Sequence, residues 1–271
     1  MTRNSAVKNN REKDLVSILV PTYNRPALLE RAIKSLLEQS YKKLEIVVVN
    51  DAGRDVQDVV NSFKDLRIKY FQNSENKGLA GTRNVALKNC KGDYICLLDD
   101  DDIYLKYAIE FRMYMMKKLK AEIVYTRSLL DHWDKTDKGY ASKGKTLYWD
   151  SFFDKDLILI QNIAPCCNVL FSRKAWDEAD YWFDETMTTS EDHDFWVSLS
   201  RKNNFEELKL IDTECSKRSD NTQMTGTLNF APNWIKIFKR WRHTAINSNY
   251  VISTQNKVLE RVGINPKDYG L

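Results

Sequence analysis

The chain of 271 residues has little of several things whose abundance would classify it at once. Histidine occurs three times, and the five cysteines (Cys90, Cys96, Cys166, Cys167, Cys215) form no CxxC pair, so a zinc motif is not indicated. Three of these thiols stand in apolar stretches suited to reduced, buried cysteine, which favours a reducing, cytoplasmic setting. Charge of one sign is not in excess: 42 Lys plus Arg face 38 Asp plus Glu, and a net charge of +4 carries no nucleic-acid signature. Any anion must be recognised locally. No uninterrupted apolar segment reaches about 18 residues, so no part of the chain is expected to span a bilayer. The polar start, Met1 to Asp14, lacks an apolar run of the secretory kind and is expected to be a loose tail. Low complexity and internal repeats are absent. So are a GxGxxG after the first strand and a GxxxxGK[ST] anywhere, which leaves nicotinamide enzymes and P-loop NTPases without support.

What is present is alternation. Leu15 to Val20 is a short β-branched run that Pro21, unable to donate to a ladder, is expected to stop. Leu28, Leu29, Ala32, Ile33, Leu36 and Leu37 recur at helical spacing, and Leu44 to Val49 is a second apolar strand. Helical patterns over Val56 to Phe63 and Ala80 to Asn89 then alternate with extended ones over Ile68 to Phe71 and Tyr94 to Leu98. The pattern predicts an α/β fold with a mainly parallel central sheet flanked by helices. Glu122 to Thr126 reads as a further strand, whereas the polar stretch from Asp131 to Lys145 reads as an irregular connection or flap. Beyond Gly226, Trp234, Ile237, Phe238, Trp241 and Ile246 are interleaved with Lys236, Lys239, Arg240 and Arg242 as in an amphipathic helix. That helix would either pack on the main domain or meet a membrane surface. The expected organisation is a tail (1–13), a main domain (14–225) and a C-terminal helical extension (226–271).

In parallel sheets ligands bind beyond the carboxyl ends of strands, and the polar runs fall there. Asp99-Asp100-Asp101-Asp102 follows a buried strand. Four adjacent carboxylates repel one another unless a cation compensates, so a divalent ion on hard oxygen ligands is expected. The bland alternative is a solvated acidic cap on a helix beginning near Ile103. Asn50-Asp51-Ala52-Gly53 offers an acceptor for a base or ribose, with Gly53 permitting a sharp turn. Arg83, near the start of a helix after Gly78 and Gly81, suits a phosphate or ribose, or else a neighbouring carboxylate. Glu191, Asp192 and Asp194 crowd another helix start, either to complement its dipole or to supply a base.

Together, Val16 to Asn24, Val48 to Gly53, Asn76 to Asn84, Leu97 to Asp102 and Glu191-Asp192 resemble, in order and spacing, the family-two inverting glycosyltransferases of GT-A fold. The resemblance implies a nucleotide-sugar donor, usually a UDP-sugar, with Mn²⁺ or Mg²⁺ and a glycan or lipid-linked glycan acceptor. It assigns the donor to Pro21, Thr22, Tyr23, Asn24, Asp51, Arg83, Asp99 and Asp100. It gives the metal to Asp99 and Asp101 and the role of general base to Asp192. Where relatives often carry a metal-binding histidine, Arg218-Ser-Asp220 stands, which makes Asp220 the candidate third ligand. Asn50 replaces a frequent aspartate. Asn168, Glu191 and Trp196 are the acceptor candidates, and Trp149, Phe152, Phe153, Trp176, Tyr181 and Trp182 offer faces for sugar stacking. Peripheral membrane contact would come through the extension. A sugar-phosphate nucleotidyltransferase and a non-catalytic binding module of the same fold are the competing readings.

Overall fold

The computed structural model describes residues 11–137, 139–148, 151–220 and 229–271. Chain order begins β1 (Glu12–Thr22), α1 (Pro26–Leu37), β2 (Leu44–Asn50), α2 (Gln57–Ser62), β3 (Ile68–Gln72), α3 (Gly78–Asn89) and β4 (Gly92–Leu97). Every strand pair in this half, β3-β2-β1-β4, is parallel. Alternate residues of β1 serve opposite layers. Val16, Ile18 and Val20 pack with Leu29, Ala32, Ile33 and Leu36 of α1, while Leu19 packs with Ala80, Ala86 and Leu87 of α3. Each of the larger side chains among them contributes about 1.5–3 kcal/mol by leaving water, which fixes the strand ends that carry the polar loops.

The second half is mixed. It comprises β5 (Ile103–Tyr104), α4 (Ala108–Leu119), β6 (Ile123–Thr136), β7 (Gly139–Leu147), β8 (Val169–Ser172), α5 (Arg173–Glu178), α6 (Glu191–Ser200) and β9 (Glu206–Arg218). β8 enters antiparallel between β4 and β6, β9 runs parallel to β6, and β5 closes the order antiparallel to β9. Arg112 of α4 is fully buried. It holds Asp212 through Nε and Nη2 (2.7 and 2.6 Å) and donates from Nη1 to the Cys167 carbonyl at 2.9 Å. A buried charge is tolerable only when so paired, and this one joins α4 and β9 to the short 3-10 turn Cys166–Asn168.

Four expectations change. Pro21 does not stop β1: it pairs with Val49, at a point where the β4 ladder has already ended at Leu19 and no donor is missed. Residues Glu12 and Lys13 belong to β1 rather than to the tail, of which 1–10 lie outside the described residues. The stretch Asp131 to Lys145 is not irregular but forms most of a β6–β7 hairpin, from Leu129↔Leu147 to Thr136↔Gly139. Its outer strand is almost wholly exposed, so polar residues fill both faces and no alternation reveals it. Ile103 opens a two-residue strand, and the next helix starts at Ala108, so the aspartates cap no helix.

Two C-terminal helices, α7 (Ala231–Trp241) and α8 (Ser248–Arg261), share the core of the main domain through Ile237, Phe238, Trp241, Val251 and Leu259. Trp241 Nε1 and Arg240 both reach Asp194 of α6, which makes the extension a packing element. No helix among the described residues is long and apolar enough to cross a membrane.

Candidate active site

The ends of β1, β2 and β4 converge, as the polar runs predict. At the end of β1, Pro21 and Thr22 are buried while Tyr23 and Asn24 just beyond it are exposed, and the Thr22 hydroxyl donates to Asp100 Oδ2 at 2.6 Å. Asn50 is fully buried and uses both ends of its amide. Oδ1 accepts from Gly53 N (3.1 Å) and Nδ2 donates to the Arg54 carbonyl (3.0 Å), a bond that aspartate could not make. The left-handed residue of this turn is Ala52 (φ 57°), not Gly53. Gly53 is needed for another reason: a Cβ there would stand 2.9 Å from both Asn24 Oδ1 and the Tyr23 ring. Asp51 Oδ1 accepts from Asn73 Nδ2 and Lys77 N, each at 2.8 Å, and so fixes the start of α3 against β2.

The aspartate run is compensated from within the chain. Arg25 reaches Asp100 (2.8 Å) and Asp101 (3.0 Å), and Arg218 reaches Asp101 at 2.7 Å. Asp102 Oδ1 accepts from Ser216 N at 2.9 Å. Burial pushes Asp100 up to about 7 against the pull of Arg25, and raises Asp102 well above the usual carboxylate range. Asp99 has the most open side chain of the three that pair with arginines, 29% exposed against 0% for Asp100 and 10% for Asp101. The sequence reading missed Arg25 and Arg218 because it sought the offsetting charge in an ion. A run of four acids beside an arginine that directly follows the Pro21 to Asn24 loop was the available signal.

Arg83 does not lie open to a ligand. It is 1% exposed and bridges Asp99 (2.7 Å) and Glu191, with Cys166 Sγ at 3.1 Å. One guanidinium is thus shared between the end of β4 and the start of α6. Burial pulls the Asp99 carboxyl upward, but Arg83 outweighs it and leaves the pKa lowered. At Glu191 burial wins over Arg83, Asp192 adds repulsion, and the pKa rises from 4.5 to about 7. A folded-state pKa above the unfolded one stabilises fully below about pH 4, and that contribution is lost as pH rises through about 7. Glu191→Gln should therefore gain stability relative to the native chain between about pH 5 and pH 8, read as a difference in melting temperature. A difference that stays flat over that range would remove the proton assigned to Glu191.

The remaining acids of α6 have separate tasks. Asp194 is buried and tied to Tyr181, Arg240 and Trp241, and His193 Nε2 lies 2.6 Å from the Ile158 carbonyl. Burial lowers the His193 pKa and keeps the ring neutral. Asp192 alone is partly open, with Oδ2 accepting from Asn162 Nδ2 at 3.0 Å and Oδ1 from His193 N at 2.8 Å. Nothing in the sequence marked Asn162. The acceptor candidates Asn168, Glu191 and Trp196 are all three buried, Trp196 against Phe171, Phe195 and Phe205. Of the stacking candidates, Phe152 is exposed (64%), Trp176 is core, Phe153, Tyr181 and Trp182 pack on the core, and Trp149 lies outside the described residues.

Asp99 and Asp101 offer hard oxygens of the kind that suits Mg²⁺ or Mn²⁺. Asp220 instead accepts from the Tyr140 hydroxyl at 2.7 Å. Among the described residues, Asp99, Asp101 and Asp220 do not come together as a ready three-ligand set; Asp102, Cys167 and Cys215 do, within 4.8 Å. Asp101 is already paired with Arg25 and Arg218.

The sequence model of glycosyl transferase family 2 matches residues 17–179. A protein of Rickettsia bellii described as an uncharacterized glycosyltransferase is 34% identical over 201 residues, covering 69% of this chain and 27% of that one. The chain thus spans about a quarter of the length of this relative. The Escherichia coli UDP-Glc:alpha-D-GlcNAc-diphosphoundecaprenol beta-1,3-glucosyltransferase WfaP is 30% identical, over 74% of this chain and 76% of its own. Residues 1–349 of S. aureus TarS, solved with UDP-GlcNAc, superpose with a TM-score of 0.71 at 17% identity, covering 93% of this chain and 74% of that one. With convergent strand ends, an acidic turn after β4, an acidic helix start and these likenesses, the chain belongs to glycosyl transferase family 2 and has the GT-A fold.

Proposed function

We propose that the chain transfers a sugar from a UDP-sugar to a hydroxyl of a lipid-linked glycan, with inversion at the anomeric carbon. One observation carries the chemistry: Asp192 is the single acid at the start of α6 left partly open, one residue from the Glu191 that shares Arg83 with Asp99. A carboxylate there takes the acceptor hydroxyl proton while the new C–O bond forms and the bond from the anomeric carbon to the diphosphate breaks. Asn162 orients that carboxylate through Oδ2. The Tyr23, Asn24 and Asp51 region receives base and ribose. WfaP, by its name, uses a UDP-sugar and a diphosphoundecaprenol-linked acceptor, and TarS was solved with UDP-GlcNAc, which supports this substrate class.

The acidic turn is close to charge-balanced by Arg25, Arg83 and Arg218, so an incoming diphosphate needs further positive charge. Asp99 and Asp101 would hold Mn²⁺ or Mg²⁺, which stabilises the departing diphosphate when bound.

A screen of nucleotide sugars that reads released nucleoside diphosphate tests the reading. Release from a UDP-sugar should require a GlcNAc-diphospho-lipid acceptor. Nucleotide binding with no release across acceptors would instead mark a non-catalytic module, and pyrophosphate release from sugar phosphate plus nucleoside triphosphate a nucleotidyltransferase. A lipid-linked acceptor also brings the chain to a membrane surface. Flotation with anionic liposomes at low salt should carry it upward, and a chain that stays below removes peripheral contact from the proposal.

A further inference from the structure

Behind the acidic turn, three potential ligands from three chain segments meet. They are Asp102 after β4, Cys167 of the Cys166–Asn168 turn and Cys215 of β9, 7%, 1% and 6% exposed. Their ligand atoms lie within 4.8 Å of one another, and Cys167 Sγ is 3.3 Å from Cys215 Sγ. We propose that Asp102, Cys167 and Cys215 form a binding site for one thiophilic divalent cation of the Zn²⁺ kind, separate from the oxygen pair Asp99 and Asp101.

Geometry and donor chemistry agree on this ion class. Tetrahedral zinc with bonds of about 2.3 Å to sulfur sets its sulfurs roughly 3.8 Å apart, so the two thiols need to separate by about half an ångström. Two sulfurs beside one carboxylate suit Zn²⁺ over Mg²⁺, Ca²⁺ or Mn²⁺, which prefer oxygen throughout. The supports are already in place. Ser216 N holds Asp102 Oδ1 at 2.9 Å, and Arg112 Nη1 holds the Cys167 carbonyl at 2.9 Å. Tyr148 packs against the cluster that contains both cysteines. An ion here would pin the aspartate turn to β9. On uptake both thiols, and the Asp102 carboxyl where it is protonated, give their protons to solvent, and the bound charge of +2 meets two thiolates and one carboxylate.

Co²⁺ serves as the probe, because its bonds to thiolate give a charge-transfer band in the near ultraviolet that carboxylate ligands alone do not. This readout is independent of sugar transfer; Co²⁺ held by the oxygens of Asp99 and Asp101 alone would lack the band, and since Cys166 Sγ lies 3.5 Å from Asp99 Oδ2, Cys166→Ala should keep it. The metal-free full chain should develop the band to an end point of about one equivalent, and Zn²⁺ should abolish it. Cys167→Ala and Cys215→Ala should each lose it with unchanged far-ultraviolet circular dichroism, while Cys90→Ala keeps it. Asp102→Asn, which retains both thiols, should weaken Zn²⁺ binding about tenfold or more and decides the matter if an alanine variant does not fold. The proposal is overturned by absence of the band in the native chain, by its survival in both cysteine variants, by unchanged affinity in Asp102→Asn, or by a Cys167–Cys215 disulfide forming in its place.

Discussion

Asp192→Asn is expected to lower turnover by about 10²–10⁴-fold while leaving donor affinity nearly unchanged, the signature of a lost general base. The amide keeps the bond from Asn162 within reach but cannot take a proton. Single-turnover rates with saturating donor, set beside nucleotide affinity by calorimetry, separate the two quantities. A fall in donor affinity that high Mn²⁺ restores would make Asp192 a metal ligand; loss of about 1 kcal/mol of stability with intact chemistry would make it only a helix cap. The neighbours are unequal controls. Glu191 is buried against Arg83, so Glu191→Gln disturbs the partner of Asp99 as well. Asp194→Asn is the better comparison, because its charge ties α6 to Arg240 and Trp241, and its loss should cost stability rather than chemistry. Near-normal transfer by Asp192→Asn together with failure of Asp194→Asn would move the base to Asp194.

Removal of divalent metal should abolish transfer, and Mn²⁺ or Mg²⁺ should restore it. Mutual repulsion of the four aspartates is no longer the reason, since Arg25, Arg83 and Arg218 pair with three of them. The requirement arises when the diphosphate enters a turn whose positive charge is already committed. Transfer and donor affinity measured in chelator, with residual metal quantified, test this. Full activity without metal would assign the diphosphate to Arg25, whose side chain is 34% exposed and is the one of the three guanidiniums open to solvent. Arg25→Ala would then lose donor affinity in chelator.

The first half of the fold was legible because β1, β2 and β4 are largely buried on both faces and α1 shows one clean apolar stripe, whereas β3 is a half-exposed edge strand; all four strands overlap the runs that mark them, with β1 longer at both ends. The β6–β7 hairpin was not, since a nearly fully exposed outer strand imposes no alternation. The aspartate turn was legible as a site, being four acids at the end of a buried strand. Which groups face them was not. Arg218 lies 117 residues from Asp101 in sequence, and no local pattern encodes a contact set by the pairing of β9 with β6. Asn162 likewise meets Asp192 only through the packing of an irregular segment on α6. The burial of Asn168 and Trp196 was not legible for a related reason: a polar or aromatic side chain near a motif is as often a core residue, and burial is a property of the whole fold.

Because Arg83 divides its charge between Asp99 and Glu191, the two carboxylates compete for one counterion. A nucleotide that engages Asp99 would release part of that charge to Glu191 and ease its loss of a proton. By reciprocity, a proton leaving Glu191 draws the guanidinium toward α6 and alters the grip on the nucleotide by the same free energy. Donor affinity would then carry a titration belonging to a residue that never touches the donor.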